Sequence, residues 1–441
     1  MIQTGLIQNA HSDLVTDASY DFYGLRLATC SLDQRIKIWR LDEANGTWSV
    51  EDDWKAHDAP VSKLSWAHPE FGSILASSSF DRTVKVWEQI SPMGQPESQQ
   101  NSINGTGSSQ AQSSTGTTNS RWVERAVLTD ARGTIRAAEF APHQFGLKLA
   151  TIATDNQLRI YECLEQPSLT TWQLSEELDV LALPNSISPS AHSRNHTVAL
   201  ATPTQTSATY DGAASASLVA QALQQGLQPP IPTSLRPGHG SREADGGWCI
   251  SWCKDRYWGE IVATGCGING IIKIIQLSPS RRPTSILTLD PTPTPQASSS
   301  EGTSTATPTQ GDAVELPTPY AITSVAWAPS CGRSYHLIAT GGRDGRVRIW
   351  RVTPADEPEH DDDDEGKWTA TIVGDFDEHK TAVGRVEWNI TGTILSSAGN
   401  DGRIRLWKAT SGNVWRPAGS IGVEQNEETG QAENKDIDME G

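Results

Sequence analysis

Apolar and polar residues alternate with a period of two along much of this chain, and the alternation comes in sets. One set is clearest at Ile394–Trp407, ILSSAGNDGRIRLW, which predicts a strand, a tight turn at Asn-Asp-Gly and a second strand ending in tryptophan. The same phrase stands at Leu27–Trp39, Ile74–Trp87, Leu149–Tyr161 and Ile338–Trp350, with a worn copy at Val262–Ile275. In all six a turn residue lies six positions before the closing residue: Asp33, Asp81, Asp155, Asn269, Asp344 and Asp401. A phrase repeated at this scale is an architecture.

Upstream of each phrase the pattern predicts an inner strand. An apolar residue is followed five positions later by an aromatic one in Val15–Tyr20, Val61–Trp66, Ile135–Phe140, Ile322–Trp327 and Val383–Trp388, and the fourth copy keeps the aromatic, Trp252. In the third strand the apolar positions are Ile36/Ile38, Val84/Val86, Leu158/Ile160, Ile272/Ile274, Val347/Ile349 and Ile404/Leu406. Fourth strands are expected at Thr47–Trp54, Arg121–Leu128, Thr171–Leu178, Thr284–Leu289, Lys367–Val373 and Val414–Ile421. The expectation is an all-β chain of six four-stranded sheets at about 11–57, 58–130, 131–180, 247–290, 320–378 and 379–421.

The turn residues are spaced by 48, 74, 114, 75 and 57 positions, against about 40–45 for a compact repeat of this type. The excess sits in low-complexity stretches at 91–120, 184–246 and 291–319, and in an acidic stretch at 354–366. These, with an acidic tail at 422–441, are expected to be disordered, since none has apolar residues enough to offset the entropy of ordering. A short helix is conceivable at Ala213–Leu227 inside the longest insert.

Charge and cysteine count change the picture little. The net charge of −18 is mostly local: eight acids fall within 356–365 and seven, against Lys435, within 422–441, leaving about −4 elsewhere. That balance argues against a nucleic-acid surface. No apolar run is long enough for membrane insertion, and the first residues lack the pattern of a secretory signal. The reading is therefore cytosolic or nuclear, with six reduced cysteines.

Three groups imitate chemistry. His11, Thr29, Asp33 and Trp39 recur as His57, Ser77, Asp81, Trp87 and as His379, Ser397, Asp401, Trp407. A hydroxyl, a histidine and an aspartate are the parts of a hydrolase. Three equivalent copies, each closed by tryptophan, are instead the mark of a structural hydrogen-bond network, and the copies at Asp155 and Asp344 lack the histidine. Cys249 and Cys253 stand four residues apart on a strand, about 13 Å, too far for one metal ion or a disulfide. The run Asp361–Glu365 reads as a solvated loop. No cofactor fingerprint, metal site or paired catalytic carboxylates emerge, so no cofactor is expected and the chain is read as a non-enzyme. Arg343, Arg346, Arg348, Arg403 and Arg405 cluster near hairpin ends and are read as solvated or ion-paired.

The six phrases resemble WD repeats of a β-propeller. The stretches 11–39, 54–88 and 140–177 further resemble the propeller nucleoporin of the Y-shaped outer-ring subcomplex, the sister of the COPII outer-coat WD protein. That resemblance implies an open six-bladed ring at the nuclear envelope. It takes a seventh blade from an α-solenoid nucleoporin in trans and serves nucleocytoplasmic transport, mRNA transport and pore assembly as a scaffold. The other expected partners are further Y-complex subunits. It also admits a place in the vacuole-associated SEA complex. A vesicle-coat subunit and a peptide-reading adaptor are the alternatives, and an enzyme ranks last. The strands support an open ring on their own: each sheet has its own fourth strand, so none is left over as a latch. The seam residues expected from the first and sixth sheets are Leu14, Val15, Tyr20, Val383, Val386 and Trp388.

Overall fold

The computed structural model describes residues 7–90, 121–166, 168–183, 246–277, 282–291, 320–354 and 368–422. Apart from their end residues 246, 291, 354 and 422, the inserts and the tail, with the segment 213–227 and the run 361–365, lie outside the described residues. The described strands form six antiparallel sheets, each built from four consecutive strands. The first is β1 (Val15–Tyr20), β2 (Arg26–Ser31), β3 (Arg35–Asp42) and β4 (Thr47–Lys55). The second is β5 (Val61–Trp66), β6 (Ile74–Ser79), β7 (Val84–Ile90) and β8 (Arg121–Leu128). The third is β9 (Ile135–Phe140), β10 (Lys148–Ala153), β11 (Gln157–Cys163) and β12 (Trp172–Asp179). The fourth is β13 (Gly247–Trp252), β14 (Ile261–Gly267), β15 (Ile272–Gln276) and β16 (Thr284–Leu289). The fifth is β17 (Ile322–Trp327), β18 (His336–Gly342), β19 (Val347–Thr353) and β20 (Thr369–Phe376). The sixth is β21 (Val383–Trp388), β22 (Ile394–Gly399), β23 (Arg403–Ala409) and β24 (Trp415–Gly422).

The repeated phrase makes the same local structure six times. The residue after the turn Asp or Asn has a positive φ in every sheet: Gln34, Arg82, Asn156, Gly270, Gly345 and Gly402. The turn side chain fixes that conformation by accepting the backbone N–H two residues on, at 2.9 Å from Thr83 in the second sheet and 3.2 Å from Ile271 in the fourth. A register shift then falls just before the closing position of every third strand, as between Ile38 and Trp39 or Leu406 and Trp407. Such bulges add twist, which lets neighbouring sheets stack around an axis.

Each sheet is apolar on both faces, so each must be covered twice. Ala28, Cys30, Ile36 and Ile38 of the first sheet pack on Val61, Leu64, Leu75 and Trp87 of the second. The same arrangement joins the second sheet to the third, the third to the fourth, the fourth to the fifth and the fifth to the sixth, one apolar cluster at each junction. No apolar cluster among the described residues joins the sixth sheet to the first. The two meet near the axis through an ion pair of Arg385 with Asp17. Val15 is 48% exposed where its counterparts Val61 and Val383 are at 0%, and Ile404 is 44% exposed where Ile36 and Val347 are at 0%. The molecule is a six-bladed propeller with an open seam.

The seam sets unequal costs for equal truncations. Leu75 and Leu27 occupy the same register position, but Leu75 is covered by the first sheet and Leu27 is only half-buried. Leu75→Ala is expected to cost about 2–5 kcal/mol and Leu27→Ala about 1 kcal/mol or less, read from urea midpoints. Equal losses would mean that the first sheet is covered by its own chain.

Candidate functional site

Two features merit construction from the residues upward: the repeated polar networks and the seam. In the first sheet Trp39 Nε1 donates to Thr29 Oγ1 at 2.9 Å. Thr29 Oγ1 lies 2.8 Å from His11 Nε2, and His11 Nδ1 lies 3.0 Å from Asp33 Oδ2. The indole can only donate, so the hydroxyl turns its proton to Nε2 and the histidine donates from Nδ1 to the carboxylate. The second sheet repeats the chain through Trp87, Ser77, His57 and Asp81 at 2.9, 2.8 and 2.8 Å. The sixth repeats it through Trp407, Ser397, His379 and Asp401 at 2.8, 2.8 and 3.0 Å.

These sets have the order of a hydrolytic triad without its access. Thr29, Ser77 and Ser397 are buried beneath the indoles that cap them, and His57 and His379 are buried as well. A nucleophile needs an open side from which a substrate arrives. What the networks do is tie the loop before the inner strand, the turn and two strands into one register, leaving no donor of the set unpaired.

Of the three sheets without the histidine, the third and fifth use arginine. Arg159, buried in the third sheet, reaches Asp155 at 2.8 Å and Glu177 at 2.8 Å. Arg348 of the fifth reaches Asp344 at 2.7 Å, while Trp350 Nε1 still donates to Thr340 Oγ1 at 3.1 Å. Arg405 makes the same pairing to Asp401 beside His379. The ion-paired reading holds for Arg346, Arg348 and Arg405, though it did not single out the turn aspartate as the partner of the last two. The signal was present, because a cation stands four residues after the turn residue in all six copies: Lys37, Lys85, Arg159, Lys273, Arg348 and Arg405. In the worn fourth copy Lys273 instead reaches back to the carbonyls of Leu181 and Leu183 in the preceding sheet's final turn.

At the seam, Leu14, Val15 and Tyr20 are exposed on the first sheet. Val383 and Val386 are not available: they are buried under Ala339, Val347 and Ile349 of the fifth sheet. Trp388 is half-buried and donates to the Ala326 carbonyl of that sheet at 3.0 Å. The expectation placed all three on the wrong face. Inner-strand apolar positions face the preceding sheet, whereas the face toward the following sheet is carried by strands two and three. On the sixth sheet that face holds Ile404 and Leu406, with Ser396 and Ala398 opposite them in register. Both apolar residues were visible as alternating positions, but alternation alone does not say which neighbour each face meets.

Elsewhere the chemistry is quiet. Among the described residues no three His, Cys, Asp or Glu side chains are grouped to hold a metal ion. Cys249 and Cys253 are separate buried thiols, each pushed up to about 12 by burial. A cavity of about 480 Å³ opens on the axis between the inner strands, with Lys63, Glu139, Lys254, Arg385 and Glu387 on its wall.

The networks carry an acid signature. Burial resists ionisation of Asp401, but donors from Arg405, His379 and the Arg403 backbone outweigh it and hold the carboxyl down to about 2, against 3.8 for a free group. The same balance, without the arginine, holds Asp81 low. A depressed carboxyl stabilises the fold fully above its unfolded value and loses that contribution as pH falls through the folded one. Wild-type urea midpoints are therefore expected to drop between about pH 3.8 and 2. Asp401→Asn should cost about 1–3 kcal/mol at pH 7 and flatten that limb. An unchanged acid limb in the variant would remove Asp401 from the account.

Comparison with known proteins agrees with this geometry. The family described as WD domain, G-beta repeat matches residues 3–40, 48–88, 315–351 and 370–408. These segments fall on the first, second, fifth and sixth sheets, the four whose third strands keep tryptophan at the closing position. Nucleoporin SEH1 of Saccharomyces cerevisiae is 30% identical over 95% of this chain and 99% of its own length. Nucleoporin seh1 of Schizosaccharomyces pombe is 31% identical over 97% and 98%, and human Nucleoporin SEH1 is 30% identical over 93% and 86%. Matched almost end to end, through the worn fourth copy as well as the regular ones, the chain belongs to the SEH1 family of WD-repeat nucleoporins.

Proposed function

We propose that this chain is a non-catalytic scaffold subunit of the nuclear pore coat, held in the Y-shaped outer-ring subcomplex by an α-solenoid nucleoporin that inserts a short β-sheet into the seam as a seventh blade. Its place is then the nuclear pore at the nuclear envelope, and its contribution to transport is architectural. The observation that carries the reading is the pair of uncovered faces, Leu14, Val15 and Tyr20 on one side and Ile404 and Leu406 on the other.

Magnitudes favour a long-lived partner. If each face offers on the order of 500 Å², covering both contributes roughly 25 kcal/mol gross. Loss of translational and rotational freedom and side-chain ordering remove much of that. The remainder still suits a lasting complex, and paired apolar faces of this size are uncommon on a free monomer. The buried hydroxyls of the three networks support the non-catalytic part of the reading.

Binding to the solenoid subunit tests it. The double variant Ile404→Glu, Leu406→Glu places two charges on a face that the free ring leaves uncovered. Its melting temperature should stay within a few degrees of wild type, because half-exposed positions tolerate charge. Its affinity for the solenoid should fall at least about 100-fold, because two buried carboxylates would lack partners. Co-purification of the double variant at wild-type yield would overturn the reading.

A further inference from the structure

The ring is stitched near its axis by a series of acceptors, each on one inner strand and each taking a backbone N–H from the next. Asp17 Oδ2 accepts from Leu64 N at 2.9 Å, Ser65 Oγ from Phe140 N at 3.0 Å and Glu139 Oε2 from Trp252 N at 3.2 Å. Ser251 Oγ accepts from Trp327 N at 3.0 Å and Ser324 Oγ from Val386 N at 3.1 Å. The acceptor is always the third or fifth residue of its strand, and the donor is the fourth or sixth residue of the following one. These five stitches join the same five pairs of sheets that share apolar clusters.

The series runs out at the seam, and leaves a half-stitch on each side. Glu387 is the fifth residue of β21, the position held by Ser65, Glu139 and Ser251 in their strands. Among the described residues no next sheet offers it an N–H. Its carboxylate meets Arg385 Nε of its own strand at 3.2 Å, and its side chain is 61% exposed. On the opposite side stands Tyr20, the sixth residue of β1 and the counterpart of Phe140, Trp252 and Trp327. Asp21 N donates to Arg26 O of β2 at 3.0 Å, so by strand alternation the Tyr20 N–H faces away from β2. The acceptor and the donor each point to where one more inner strand would lie.

We propose that Glu387 is a docking residue for the inserted sheet, accepting a backbone N–H from its innermost strand as Glu139 does from Trp252 within the ring. That strand in turn presents a hydroxyl or carboxylate side chain to the Tyr20 N–H. The proposal rests on the seventh-blade reading and deepens it. Apolar cover on the two faces supplies attraction without fixing height, because an apolar surface is non-directional. Two backbone stitches at the axis fix the register of the incoming strand to the residue. Arg385, between Asp17 and Glu387, holds the waiting carboxylate in place.

The test compares Glu387→Ala, Glu387→Gln and wild type for binding to the solenoid subunit, with hydrogen exchange on the free and bound propeller. Glu387→Ala should weaken binding about 10- to 100-fold, the range of a charge-assisted hydrogen bond. Glu387→Gln keeps an acceptor oxygen and should lose less than about tenfold. Neither should shift the melting temperature of the free ring, whereas Glu139→Ala, which cuts a stitch already made, should lower it. The Tyr20 amide should exchange freely alone and become protected in the complex. Glu387→Ala binding within twofold of wild type, or a Tyr20 amide equally exchangeable in the complex, would overturn the proposal. Wild-type protein that fails to bind the solenoid would overturn the seventh-blade reading itself.

Discussion

The structure depends on covering both faces of every sheet. A sheet with one wet face can end a stack, but these sheets carry apolar residues on both sides. Ala28, Cys30, Ile36 and Ile38 line one face of the first, while Val15, Leu27 and Trp39 belong to the other. Stacking around an axis is the arrangement in which each sheet covers its neighbours. It completes itself only if the last sheet reaches the first. Here five junctions are dry and one is not, so the uncovered area is the remainder of a rule that the rest of the chain obeys.

The polar networks serve that rule by holding the strands of a sheet in register. One-residue slippage would turn every buried side chain to the wrong neighbour. The three histidine networks and the two arginine pairs are alternative ways of satisfying the turn aspartate. His57 reaches Asp81 from the loop before the inner strand, whereas Arg159 reaches Asp155 from within the third strand. The arginine solution ties the preceding loop by one bond fewer, since no histidine of that loop reaches the aspartate. In the third sheet the loop keeps only the backbone clamp, Arg132 N–H on Asp155, which Ser12 and Asp58 also make in the first and second sheets.

Much of this was legible because repetition is a stronger signal than propensity. The strand positions, the turns and the three tetrads follow from six copies of one phrase, and the structure places His11, Thr29, Asp33 and Trp39 in a single hydrogen-bonded chain. The direction of the faces was not legible. Val383 and Ile404 alternate with polar residues in the same way, and only the stacking order buries the first and bares the second. The axial stitches were hidden for a related reason. Ser65, Glu139 and Ser251 are chemically varied, and their common role lies in a neighbour's backbone, which carries no sequence signature.

Connectivity bears on where the ring can open. At the first junction the outer strand β4 leads into β5 through a short link, and the same holds from β8 to β9 and from β20 to β21. Parting those sheets would stretch a covalent connection. Among the described residues the sixth and first sheets meet through side chains and share no apolar cluster, so this junction could widen without unfolding either sheet. The proposed docking would not orphan Asp17. Its buried carboxylate also takes Lys63 at 3.2 Å and the Leu64 N–H at 2.9 Å, so it would stay paired if Arg385 were displaced. Arg385 in turn keeps Glu387 on its own strand. An ion pair that can part with both members still satisfied avoids the large cost of orphaning a buried charge. A seventh inner strand, as proposed, would therefore meet only a modest electrostatic penalty at the axis.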